Sequence, residues 1–121
     1  RDQGDWEGWM RFFLTGLAFV ADEATSIARQ ITDRRETDRR AITAKLRRFS
    51  GRALELHDRL FHKPIITVQT VEKMLGVNYQ YANRLVSSLE ELGLLREVTG
   101  QRRNRRFGYG AYLDLLTADE M

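Results

Sequence analysis

Thr67 to Tyr109 reads TVQTVEKMLGVNYQYANRLVSSLEELGLLREVTGQRRNRRFGY. A helix opens at Thr67 or Thr70 and turns Val68, Val71, Met74 and Leu75 inward, at the three- and four-residue steps of an amphipathic helix. Gly76 suits a left-handed C-cap, and Asn78 is a strong N-cap for a second helix. That second helix places Ala82, Leu85, Val86, Leu89 and Leu92 on one face, and Gly93 closes it. Leu94–Val98 and Arg106–Tyr109 then read as two strands of a hairpin with a basic tip. Two helices, a short glycine turn and a basic hairpin in that order are the outline of a winged helix-turn-helix.

Upstream of this stretch, Ala53, Leu56, Leu60 and Phe61 make the core face of a short helix that stops before Pro64, the only proline. Ile65 and Ile66 follow as a short strand, since proline disfavours helical geometry in the residue before it. Downstream, Ala111–Leu116 forms a closing turn or helix. Residues 51–121 are therefore expected to be one winged domain.

Residues 1–50 are of another kind. Asp5 reads as an N-cap. Trp6, Met10, Phe13, Leu17, Val20, Ala24, Ile27 and Ile31 make one continuous apolar stripe. Trp9, Phe12, Gly16 and Phe19 make a second, so the first half is apolar nearly all round. Asp33–Arg40 (DRRETDRR) has opposite charges at helical spacing, such as Glu36 and Arg40, which favours a solvated helix over a linker. Ile42, Leu46 and Phe49 restore the stripe, and Ser50 and Gly51 end the segment. Residues 5–49 are either one very long helix or two helices bent near the charged run.

Composition bounds the function. The chain has 121 residues, 42% of them hydrophobic, which is enough for a packed core. With 20 Lys+Arg against 17 Asp+Glu the net charge is only +3, so any basic surface comes from distribution rather than total. Cysteine is absent, which excludes disulfides and thiolate metal sites and suits a reducing cytoplasm. No apolar run approaches the roughly 20 residues of a membrane span. The chain opens on Arg1 and enters a helix almost at once, as a segment of a longer protein would.

Two constellations point to nucleic acid. Asn78, Tyr79, Gln80, Asn83, Arg84 and Ser87 lie on the outer face of the second helix, in its N-terminal half, and are of the types that reach base edges and phosphates. A merely solvated face would also favour Asn, Gln and Ser. The hairpin tip, Gln101, Arg102, Arg103, Asn104, Arg105 and Arg106, carries four arginines and no acid. Arginine forks phosphate oxygens and enters narrow minor grooves. The competing use of such a tip is to keep a strand edge from aggregating, with Arg106 paired to Glu97 across the strands. Arg84, expected beside this wing, favours DNA. Trp6, Trp9, Phe12, Phe13 and Phe19 read as an interface to missing protein or to a second copy.

Catalytic patterns are absent from the sequence. There is no phosphate-cradling glycine loop, nucleophile elbow or paired-carboxylate arrangement. His57 and His62 stand five apart without a third ligand. His57, beside Asp58, reads as a surface histidine and His62 as a helix-end residue. No cofactor or metal is expected.

Several blocks in order resemble the C-terminal region of bacterial Fic proteins, the filamentation-induced-by-cAMP family of protein adenylyltransferases. They are WEGWMRFFLTGL from Trp6, ALELHDRLFHKPIITVQTVEKMLGV from Ala53, YANRLVSSLEELGLLREVTG from Tyr81, QRRNRRFGY from Gln101 and YLDLL from Tyr112. Together they span nearly the whole chain. In that family an N-terminal helical domain carries the catalytic loop HPFxxGNGRxxR. Neither that loop nor the inhibitory S/T-x-x-x-E-G/N motif occurs here, and His62-Lys63-Pro64 is not its opening. The resemblance thus implies a non-catalytic appendage of an adenylyltransferase, with Trp6 to about Phe49 packed on the catalytic domain. Two functions stay open: a DNA-binding or regulatory module, and a protein-interaction or dimerisation domain without DNA contact.

Overall fold

Asp2–Leu46 contains no proline, so no residue in it lacks the amide that the helical ladder needs. The computed structural model, which describes residues 2–117, shows one continuous helix, α1, over Asp2–Leu46. At about 1.5 Å per residue it is roughly 67 Å long. The charged run is part of it. Glu36 and Arg40 belong to a solvated stretch, while Arg34 and Asp38 form an i,i+4 ion pair at 3.0 Å. The chain is helical before Asp5, so that residue is not the cap. The break also falls earlier than Ser50 and Gly51. Arg47 adopts φ 42 and opens a 3-10 turn, Arg47–Phe49, and Ser50–Leu60 is already the next helix, α2.

The elements that follow are β1 (Ile65–Ile66), α3 (Val68–Leu75), α4 (Tyr79–Glu91), β2 (Leu95–Glu97), β3 (Phe107–Tyr109) and α5 (Gly110–Thr117). Thr67, rather than Thr70, is the N-cap of α3; its hydroxyl accepts from the Thr70 amide at 3.1 Å. Gly76 ends α3 at φ 66, a conformation that costs a side chain-bearing residue about 1–2 kcal/mol. Asn78 caps α4, its Oδ1 accepting from the Tyr81 amide at 2.8 Å. The three strands form an antiparallel sheet in the order β1-β3-β2, with Ile66 and Glu97 both opposite Phe107. The Val98 amide donates to the Arg106 carbonyl at 2.8 Å, carrying the hairpin one pair beyond its strands.

One core joins these pieces. Ala53, Leu56 and Leu60 of α2, Val71 and Leu75 of α3, and Ala82, Leu85, Val86 and Leu89 of α4 are buried with Ile66, Leu95 and Phe107 of the sheet. Each fully buried leucine or isoleucine contributes about 1.5–3 kcal/mol over its exposed state. α1 adds Ile42, fully buried, near its C-terminal end. Its N-terminal part packs on nothing: from Gly4 to Ser26 every residue except Met10 is exposed. Among the described residues no helix is long and apolar enough to cross a membrane.

Candidate nucleic-acid interface

The turn Gly76–Asn78 sets α3 and α4 against each other and leaves the outer face of α4 open beside the hairpin. A groove of about 880 Å³ runs between them, with Tyr79, Asn83 and Ser87 on one wall and Gln101–Arg106 on the other. The start of α3, Thr67–Gln69, closes one side. Positions 79, 83 and 87 are spaced four apart, so they stack along one helix face. Glu90 lines the same groove one turn farther on, which puts a negative charge at the end opposite the N-terminus of α4.

The remaining expected α4 residues divide. Asn78 spends its side-chain oxygen on the cap. Gln80 is exposed but lies outside the groove. Arg84 is not beside the wing: its guanidinium carbon sits 5.6 Å from the centroid of Phe49, on the other flank of α4. Tyr81 meets the same ring edge-on at 5.7 Å and is half-buried, whereas Tyr79 stays more than half exposed.

Gln101–Arg106 are all exposed. The wing turn is built by Glu97. Its carboxylate accepts from the Thr99 amide, from the Thr99 hydroxyl at 2.8 Å and from the Gly100 amide at 2.5 Å. The Gly100 hydrogen bond, followed by that from the Thr99 hydroxyl, holds this carboxyl below the usual carboxylate range. The Glu97–Arg106 pair of the competing reading does not form, because that carboxylate is already turned into the loop. Asn104 takes the left-handed φ of 53, which Asn tolerates, and the Arg105 Nε donates to the Gln101 carbonyl at 3.0 Å. Among the described residues no carboxylate comes within ion-pair distance of Arg102, Arg103, Arg105 or Arg106.

His57 is a correction as well. It is fully buried rather than on the surface. Its Nε2 lies 2.8 Å from the Tyr109 hydroxyl, which donates to Asp38 of α1. The tyrosine proton is thus committed to the carboxylate, so Nε2 carries the histidine proton and donates. The other ring nitrogen, Nδ1, is buried without a partner. Protonating it would strand a buried donor. Burial accordingly lowers the His57 pKa from 6.5, against the opposing pull of Asp38. Desolvation and the Asp38 hydrogen bond raise Tyr109 well above the ordinary tyrosine range. This network ties α1, α2 and β3 together at the core, and periodicity could not reveal it. His62 is exposed just beyond the α2 cap.

Trp6, Trp9, Phe12, Phe13 and Phe19 are all exposed, Phe12 to 80%. Trp6 stacks on Trp9, and Trp9 on Phe13, with ring centroids 5.4 Å apart in both pairs.

Residues 54–109 match the family described as an HTH DNA binding domain. That span runs from α2 through the last strand of the wing, so it covers the helix-turn-helix and the hairpin together. No curated protein matches the chain. Among solved structures the chain is similar to a MarR family protein from Bacillus stearothermophilus, at 15% identity and a TM-score of 0.43, over 85% of this chain and 76% of that one. Residues 54–109 are thus similar to a helix-turn-helix family of the DNA-binding type. The Fic resemblance rests on sequence blocks alone.

Proposed function

We propose that this chain is a non-catalytic DNA-binding module of a Fic-type protein adenylyltransferase, acting in the cytoplasm. Tyr79, Asn83 and Ser87 enter the major groove from α4 while Arg102, Arg103, Arg105 and Arg106 hold the phosphate backbone. The observation that carries this reading is the groove, which sets a face of hydrogen-bonding side chains opposite four arginines that, among the described residues, have no carboxylate within ion-pair distance. Asn and Ser can read base edges, and an unpaired guanidinium is free to fork phosphate.

The test is a titration of duplex DNA. The chain should bind with an affinity that falls steeply as salt rises. Changing the four wing arginines to alanine should lower the log-log salt slope by roughly 0.9 for each phosphate that is no longer neutralised. A chain that fails to bind duplex DNA even at low salt sinks the reading.

A second reading, a protein-interaction module, is favoured by the exposed aromatic ladder of α1. A stripe this size on a solvent-facing helix calls for a protein partner. In a Fic-type parent the catalytic domain would cover it; a second copy through the same helix would be the alternative. The two readings are compatible, because the ladder lies on α1 and the groove on α4 and the wing.

A further inference from the structure

α4 is flanked by basic chain on both sides, and only one side is the wing. Its core face is Ala82, Leu85, Val86 and Leu89. At roughly 100° per residue, the direction opposite that face runs between Gln80, Arg84 and Ser87. The wing groove lies to one side of this direction, along Tyr79, Asn83 and Ser87. On the other side, Tyr81 and Arg84 both touch Phe49, the last residue of the turn between α1 and α2. Arg47 and Arg48 occupy the same turn, Lys45 precedes it, and all three are exposed. Among the described residues none of the three lies within ion-pair distance of a carboxylate.

A helix of about 10–12 Å diameter fills a major groove about 12 Å wide, so a phosphate backbone borders it on each side. We infer that the α1–α2 turn is a second phosphate-binding element, in which Arg47 and Arg48, with Lys45 beside them, grip the backbone on the side of α4 away from the wing. Phe49 holds the turn against α4 through Tyr81 and Arg84, so the basic turn and the reading helix move as one piece. The left-handed conformation of Arg47 makes this possible by turning the chain between the two helices. This inference rests on the DNA-binding reading above and extends its footprint from one strand to both.

The experiment uses the full chain and a labelled mixed-sequence duplex of about two helical turns. Binding is followed by fluorescence anisotropy from about 50 to 200 mM salt. The Arg47→Gln/Arg48→Gln variant should lose affinity and lower the salt slope by up to roughly 1.8, two phosphates at about 0.9 each. The Arg47→Lys/Arg48→Lys variant should keep most of the slope, since charge is what the backbone answers to. Circular dichroism of both variants should match the unaltered chain.

Loss of binding in the wing variant with unchanged affinity and slope in Arg47→Gln/Arg48→Gln overturns the inference and leaves the DNA reading standing. So does a change in melting temperature without a change in slope, which would mean that these cations only neutralise the C-terminal end of α1. Absence of duplex binding by the unaltered chain overturns both.

Discussion

Tyr109 brings three distant parts of the chain together through one hydroxyl. It donates to Asp38 of α1 and accepts a hydrogen bond from His57 of α2, while its own backbone lies in β3. The consequence is a pH dependence. Because the folded-state pKa of His57 is lowered, the unfolded chain binds more protons just below pH 6.5. Stability therefore rises with pH through that window. It is complete above the unfolded value and is lost as pH falls through it toward the folded one. Urea unfolding at about pH 7.5 and pH 5.5 should show the lower midpoint at the acid value. A His57→Gln variant should lack this component of the slope, and an undiminished slope would assign the effect to another group.

Among the elements, the helix-turn-helix is legible in the sequence nearly to the residue, because its signals are local. Asn78 and Gly76 act through the backbone groups beside them, and the inward positions of α4 follow from a period that needs no neighbour. An Asn78→Ala variant should lose about 1 kcal/mol of unfolding free energy by removing the cap, read from the urea midpoint at constant m. A loss below a few tenths would mean that water replaces the cap. The two wing strands are one residue shorter than the sequence reading at three of their four ends, since sheet pairing ends where the chain must turn. The Glu97–Arg106 pair is absent for a related reason. Glu97 faces Phe107, the neighbour of Arg106, across the hairpin, but its carboxylate accepts from the loop amides of Thr99 and Gly100 instead. Arg84 lies away from the wing because position on a helix face says which way a side chain leaves the axis, not which neighbour awaits it.

The molecule as a whole is a winged domain on the end of a long helix whose far half is bare. Replacing Trp9, Phe12 and Phe13 with serine should leave the stability of the winged domain within about 0.5 kcal/mol, because those residues touch none of its core. The same variant should lose any self-association, measured by light scattering. A large loss of stability would place the aromatic ladder inside the fold instead. From the sequence alone came the helix-turn-helix, the basic wing and the doubly apolar first helix. Propensity, capping and periodicity act over a few residues and are written directly in the chain. Only the tertiary structure decided that the charged run continues one helix, that His57 is buried, that Arg84 faces Phe49, and that basic chain lies on both flanks of α4. Each of those depends on which distant surfaces meet, and that is settled by packing the whole core rather than by any local rule.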